Sequence, residues 1–298
     1  MGVFLFFVDG LGIGKNVPKI NPCCNPNLAC LNHVAIREPV PILCCGWAFP
    51  VDATLTLGGL PQSATGQTTL LTGINAPRLL GHHLPGFPNK GLRSLLKEYS
   101  IFRTLHEKGF KSTFLNAYRP PFFELKPETQ WRLSATTGAT LAADLGFRTL
   151  DDVREKRAVY HDITNAHLIE KGFDVPRFTA SEAADIVIGE IERFDFILFE
   201  YFLTDRAGHK QNGDEATRIL SDVDTFLKHI VERMDLKKHH VILTSDHGNI
   251  EDLSVKTHTL NPAMTLVWGK KASRLATHIR SLVDIKPAIL SLLEGTVL

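Results

Sequence analysis

Three short stretches of this chain pair carboxylates with imidazoles in a way that could hold a divalent cation. Val241 to Asp252 reads VILTSDHGNIED, an apolar β-branched run that stops at Asp246 and His247 and turns on Gly248 and Asn249. A buried strand delivers its last side chains to the carboxyl end of its sheet, where open α/β proteins place ligands. A carboxylate beside an imidazole suits a transition-metal ion, although Asp, Gly and Asn also make an ordinary surface turn. Val3 to Val8 likewise ends on Asp9. Phe194 to Tyr201 is followed by Asp205 and, four residues on, His209, which share a face if this piece is helical. His258 lies in a later loop. Three carboxylates brought together would raise one another's pKa, so cations are the natural compensation.

Ser63 adds a hydroxyl. It stands before Ala64 to Leu71, a stretch that can be helical and closes on Gly73, a plausible C-cap. A serine there either caps the helix or acts as a nucleophile, since the N–H groups and positive dipole end beside it would also hold a phosphate. Asp9, Ser63, Asp205, His209, Asp246, His247 and His258 are more donors than one tetrahedral ion needs. Two ions are implied, an arrangement that suits in-line phosphoryl displacement.

The elements that must position these residues alternate between strand and helix, which predicts a parallel sheet covered on both faces. Strands are expected at 3–8, 112–116, 194–201, 241–245 and 265–268, and helices at 95–107, 135–145, 214–234 and 285–293. Thr179-Ala180-Ser181-Glu182 is a capping box that opens a further helix. Asn16 to Pro50, rich in Pro, Asn and Cys, reads as irregular covering structure. Glycines after Asp9 do not complete a dinucleotide-binding pattern, and no G-x-S-x-G elbow surrounds Ser63.

With 33 basic and 32 acidic side chains the charge balance gives no reason to expect nucleic acid or an anionic membrane as partner. The apolar N-terminus is only strand-length and no later run approaches 20 apolar residues, so a soluble, cytoplasmic protein is expected. The five cysteines, Cys23, Cys24, Cys30, Cys44 and Cys45, fit a reducing compartment and lack zinc-site spacing even with His33 nearby.

Taken together, these motifs resemble those of the alkaline phosphatase superfamily, in particular its branch with cofactor-independent phosphoglycerate mutase and phosphopentomutase. Val8-Asp9-Gly10 matches the V-D-G start, and Ser63 with Gly66 and Gly73 the nucleophile segment. Asp205 and His209 match D-x-x-x-H, Ser245-Asp246-His247-Gly248-Asn249 matches A-D-H-G-N, and His258-Thr259-Leu260-Asn261-Pro262 matches H-T-x-N-P. The resemblance covers residues 1–73 and 179–298. It implies an α/β fold, an alkaline-phosphatase-like three-layer core with a mostly parallel sheet and a small inserted cap. It further implies that Asp9, Ser63, Asp246 and His247 hold one divalent ion and Asp205, His209 and His258 a second, zinc or manganese, with Ser63 forming a phosphoserine. Lys108 resembles a lysine that helps bind phosphate in the mutases, though an ordinary solvated lysine also fits. Arg78, His82, His83 and Arg119 are candidate substrate contacts.

A discontinuous catalytic core, 1–118 and 179–298, with a cap at 119–178 is the expected domain plan. The large glycerate-binding domain of the mutases has no counterpart here, only the short segment 76–91. The expected activity is therefore hydrolysis of a small phosphate ester, with a phosphomutase or a catalytically silent metal-binding relative as alternatives.

Overall fold

A computed structural model describes residues 1–296, built around a seven-stranded sheet. Its strands are β1 (Val3–Val8), β2 (Val40–Ile42), β3 (Gly46–Val51), β4 (Ser112–Phe114), β5 (Phe196–Tyr201), β6 (His240–Thr244) and β7 (Ala263–Trp268), in the spatial order β2-β3-β7-β6-β1-β5-β4. At the centre β1 lies parallel to β6 and to β5, with Phe7 opposite Thr244 and Val8 opposite Tyr201. These level ends bring Asp9, Asp205 and Asp246 out at the same edge.

β1 is buried along its whole length, hence its unbroken apolar run. Alternate side chains still divide between two cores, because successive strand residues face opposite sides. Phe4, Phe6 and Val8 pack with the Ala180–Glu190 and Gly213–Arg233 helices. Val3, Leu5 and Phe7 pack with helices that include Ser63–Thr72, Ile101–Glu107 and Ile285–Glu294. The result is the expected three-layer α/β arrangement. The Thr179 capping box is present, and Gly73 caps its helix at φ 72°.

The sheet is mixed rather than mostly parallel. Only the β6-β1-β5-β4 half is parallel, while β6–β7, β7–β3 and β3–β2 are antiparallel. The Pro- and Cys-rich stretch expected to be irregular supplies β2 and β3, with Pro41 on the edge strand, where a missing N–H costs no ladder bond. The helix expected at 95–107 is two, Lys90–Tyr99 and Ile101–Glu107, because Ser100 leaves the helical conformation and its hydroxyl caps the second.

Asp224 of the long helix accepts the backbone N–H groups of Ala29, Cys30 and Leu31, which fixes the cysteine-bearing loop. Cys23 and Cys30 are buried among apolar side chains, and burial pushes their thiols far up. Among the described residues, no cysteine joins a cluster able to hold a metal. Residues 119–178 supply short helices and no strand of the sheet. Ala135, Ala139 and Ala143 join one core and Val153, Val159 and Ile163 the other. Among the described residues, no helix is long and apolar enough to cross a membrane.

Candidate active site

Asp9 follows β1, Asp246 and His247 follow β6, and Asp205 sits in the first turn of the Leu203–Lys210 helix that begins just past β5. The loop after β1 turns on Gly10, whose φ is 71°. A Cβ there would lie 2.9 Å from the Asp205 Cα, so only glycine lets the two loops meet.

The side chains gather in two groups. In the first, one donor atom from each of Asp9, Asp246 and His247 lies within 4.8 Å of the others. His247 Nε2 is 3.2 Å from Asp9 Oδ1 and 3.5 Å from Asp246 Oδ2. Both carboxylate oxygens are buried without a hydrogen-bond partner. Buried polar atoms are normally paired, so two orphaned oxygens aimed at one imidazole nitrogen mark a place built for a cation. Burial, then the charges of Asp246, Asp205 and Glu200, pushes the Asp9 carboxyl well above the usual range.

In the second group Asp205, His209 and His258 come together by the same measure. His209 Nδ1 is bonded to the Lys256 carbonyl at 2.6 Å, and His258 Nδ1 to the Pro61 carbonyl at 2.8 Å. Each ring therefore presents Nε2 to Asp205, His209 at 3.4 Å and His258 at 3.5 Å. Fixing one ring nitrogen on a carbonyl leaves the other as a lone pair, the usual preparation of a metal-binding imidazole. Burial alone would raise the Asp205 carboxyl, but contact with His258, the field of His247 and the Asn249 amide hold it at about 2. Both donor sets fit divalent cations.

Ser63 lies beside the first group. It is the first helical residue, and Gln62 occupies the cap position without a side-chain capping bond. The Ser63 Oγ is 3.0 Å from His247 Nε2. The helix can approach this closely because its fourth residue is Gly66, where a Cβ would come within 2.8 Å of the Asp246 carbonyl.

Of the other candidates, Arg119 lines the cavity that opens on Ser63, Asp9 and Asp205, a space of about 640 Å³. Lys108 does not belong there. It ends the Ile101–Glu107 helix, exposed, with its Nζ 2.7 Å from Glu294, because that helix runs into β4 at the amino edge of the sheet, opposite the site. Arg78 and His82 are exposed and His83 half-buried, and none of the three lines the cavity. Their short segment turns outward, with His82 bonded back to the Leu80 carbonyl.

Several residues of the site escaped sequence reasoning. Gln67, one turn after Ser63, donates to Asp9 Oδ2 at 3.2 Å. Asn249 donates to Asp205 Oδ1 at 2.6 Å. Buried Glu251 accepts from the backbone N–H groups of Gly12 and Asn249 and from Thr259 and Asn261, tying the three loops together. Glu200, a lone acid in the buried strand FILFEY, lines the cavity and accepts from the Thr136 hydroxyl at 2.6 Å. Burial pushes its carboxyl up to about 7, Thr136 opposing and Asp246 adding. His161, also in the lining, is lowered to about 3 by burial and by the charges of His167, Arg206 and Arg119. An isolated acid in an apolar strand was the one legible signal among these.

Comparison with known proteins agrees with this architecture. Residues 155–295 match the family model described as the Metalloenzyme superfamily. The 2,3-bisphosphoglycerate-independent phosphoglycerate mutase of Desulforudis audaxviator is 31% identical over 124 residues, covering 40% of this chain and 24% of that protein. The enzyme of the same name from Methanococcus aeolicus is 28% identical over 102 residues, 34% of this chain and 25% of that protein. The matched part is thus about a quarter of the length of these relatives. Among solved structures, the alkaline phosphatase of the Antarctic bacterium TAB5 superposes with a TM-score of 0.57 at 14% identity, covering 99% of both chains. The cold-active alkaline phosphatase of Shewanella sp. gives 0.53 at 10% identity, covering 98% of this chain and 100% of that one. The C-terminal part of the chain thus matches the metalloenzyme superfamily, and the chain as a whole has a fold like that of the alkaline phosphatases.

Proposed function

We propose that this chain transfers the phosphoryl group of a small phosphate ester to Ser63 and then to water, as a two-metal phosphatase. The observation that carries this reading is the position of the Ser63 hydroxyl, at a helix N-terminus and 3.0 Å from an imidazole shared with two unpartnered carboxylate oxygens. Asp9, Ser63, Asp246 and His247 would hold one divalent ion, zinc or manganese, and Asp205, His209 and His258 the other. Bound there, such ions polarise a serine hydroxyl and stabilise charge on the phosphoryl and leaving oxygens.

The chain's own residues account for the remaining steps. Ser63 Oγ forms its bond to phosphorus as the ester P–O bond breaks, and the alcohol departs with a proton equivalent to the one Ser63 gives up. Water then adds to phosphorus, the Ser63 bond breaks, and inorganic phosphate leaves. The amide groups opening the Ser63–Thr72 helix face the phosphoryl oxygens, Gln67 holds Asp9 in orientation, and Asn249 does the same for Asp205. Residues 119–178 act as a cap, supplying Arg119, Phe122, Leu133 and His161 to the cavity wall.

A second reading, intramolecular phosphomutase, draws on the names of the relatives matched in sequence. Metal-stripped protein resupplied with manganese or zinc and given an aryl phosphate tests the proposal beside Ser63→Ala. Metal-dependent phosphate release that disappears in the variant supports it. Two bound ions without Ser63-dependent turnover on esters or sugar phosphates would mark a silent relative.

A further inference from the structure

The cavity beside Ser63 is walled on one side by Phe87, Phe114, Tyr118, Phe122, Leu125 and Leu133. Its aromatic rings are already packed into a fixed surface. The Tyr118 and Phe122 centroids lie 4.2 Å apart, those of Tyr118 and Phe114 6.2 Å, and Phe147 backs Phe122 at 4.7 Å. Phe87 stands at the rim on a loop, 64% exposed, an unusual place for a large aromatic without a partner.

The polar groups of this wall are engaged elsewhere. The Tyr118 hydroxyl is bonded to Thr137 at 2.7 Å. The Asn116 amide donates to the Glu200 carbonyl at 2.7 Å and accepts the Glu200 N–H at 2.8 Å. A sugar or a short hydroxy acid would lose its hydration against this wall without gaining a partner from it, since the unpartnered buried polar atoms of the lining, Asp9 Oδ1 and His161 Nδ1, are not part of the wall. Glu200, a buried carboxyl in the same lining, disfavours a second carboxylate close by. The cations of the lining, Arg119 and Arg206, suit the phosphate's charge and can also stack on a ring. A volume of about 640 Å³ lies in the range of pockets that enclose ligands of several rings.

We infer, resting on the phosphoryl-transfer reading above, that the esterified group of the substrate is an apolar, ring-bearing alcohol at least the size of a phenol. Sugars and three-carbon acids are disfavoured by the same wall.

Affinity for non-hydrolysable phosphonates separates this inference from the question of turnover. Benzylphosphonate and 2-hydroxyethylphosphonate would be titrated calorimetrically into manganese-loaded protein, with Phe122→Ala and the rim variant Phe87→Ala, whose exposed side chain is not needed for folding. The expected result is benzylphosphonate binding at least about tenfold tighter, as burying one ring's apolar surface predicts. That preference should shrink about threefold or more in each variant. Equal affinities, binding of neither compound, or a preference untouched by both substitutions would overturn the inference. Ester hydrolysis without the preference would sink the inference and keep the phosphatase reading. The preference without any hydrolysis would do the reverse.

Discussion

At the scale of single residues, Ser63 is the most informative. A serine opening a helix is usually its cap, and the sequence left capping and nucleophilic roles both open. The structure gives the cap position to Gln62 and turns the Ser63 hydroxyl to an imidazole 184 residues away. Ser63→Ala is therefore expected to change stability by less than about 0.5 kcal/mol in thermal or urea unfolding, where loss of a true cap would cost about 1 kcal/mol. The motif acids were legible because each lies at or just past the end of an apolar run, and His209 and His258 because their motifs place them beside Asp205 and Asn261. Gln67 and Glu251 were not, because their partners belong to other segments and no local pattern marks them, and Asn249 was marked by its motif without its contact to Asp205. Glu200 yields a pH prediction. Its folded pKa of about 7 lies above the ordinary value of 4.5, so its contribution to stability is complete below 4.5 and is lost as pH rises through about 7. In chelated protein, Glu200→Gln should match wild type near pH 4.5 and exceed it above pH 7, by on the order of 3 kcal/mol. A constant difference across that range in urea titrations would contradict the assignment.

At the scale of elements, the site depends on three neighbouring parallel strands ending level and on one helix pressed against the end of the third. The strands could be read from apolar runs capped by acids. The antiparallel strands beyond β7 could not, since β2 and β3 are interrupted by Pro41 and Pro50 and held by the pairing of β3 with β7 and of β2 with β3 rather than by their own periodicity. The break at Ser100 was hidden for a similar reason: capping by a serine hydroxyl leaves the surrounding apolar spacing intact. The helix contact rests on Gly66. Alanine in place of a helical glycine normally stabilises by up to about 1 kcal/mol. Here the added Cβ would meet the Asp246 carbonyl at 2.8 Å, which reverses the sign. Gly66→Ala is expected to destabilise by about 1–3 kcal/mol and, by moving Ser63 off His247, to lower kcat at least tenfold with little change in fold by circular dichroism.

At the scale of the whole molecule, a neutral overall balance of charge surrounds a concentrated cluster of buried acids. Such a cluster opposes folding until cations offset it, so stability and metal content are linked. Manganese or zinc at a hundredfold over its dissociation constant should stabilise the protein by about 2.7 kcal/mol per site, roughly 5 °C or more in Tm. Asp9→Asn should be at least as stable as wild type in chelator, where one buried carboxylate fewer is an advantage, and should gain less when metal returns. A variant that tracks wild type in both conditions would remove Asp9 from the ligand set. Residues 119–178 stood out in the sequence only as a change of character after Tyr118. That they line part of the cavity while packing into both cores depends on contacts between segments far apart in the chain.

The most direct test of the account is to quench manganese-loaded enzyme during turnover of an aryl phosphate and map phosphorylated peptides by mass spectrometry. The account predicts a single acid-stable phosphate on Ser63, absent from chelated protein and lost once the substrate is exhausted. Steady hydrolysis with Ser63 unmodified at every quench time would mean that water attacks the ester directly, and the central role given to Ser63 would be wrong.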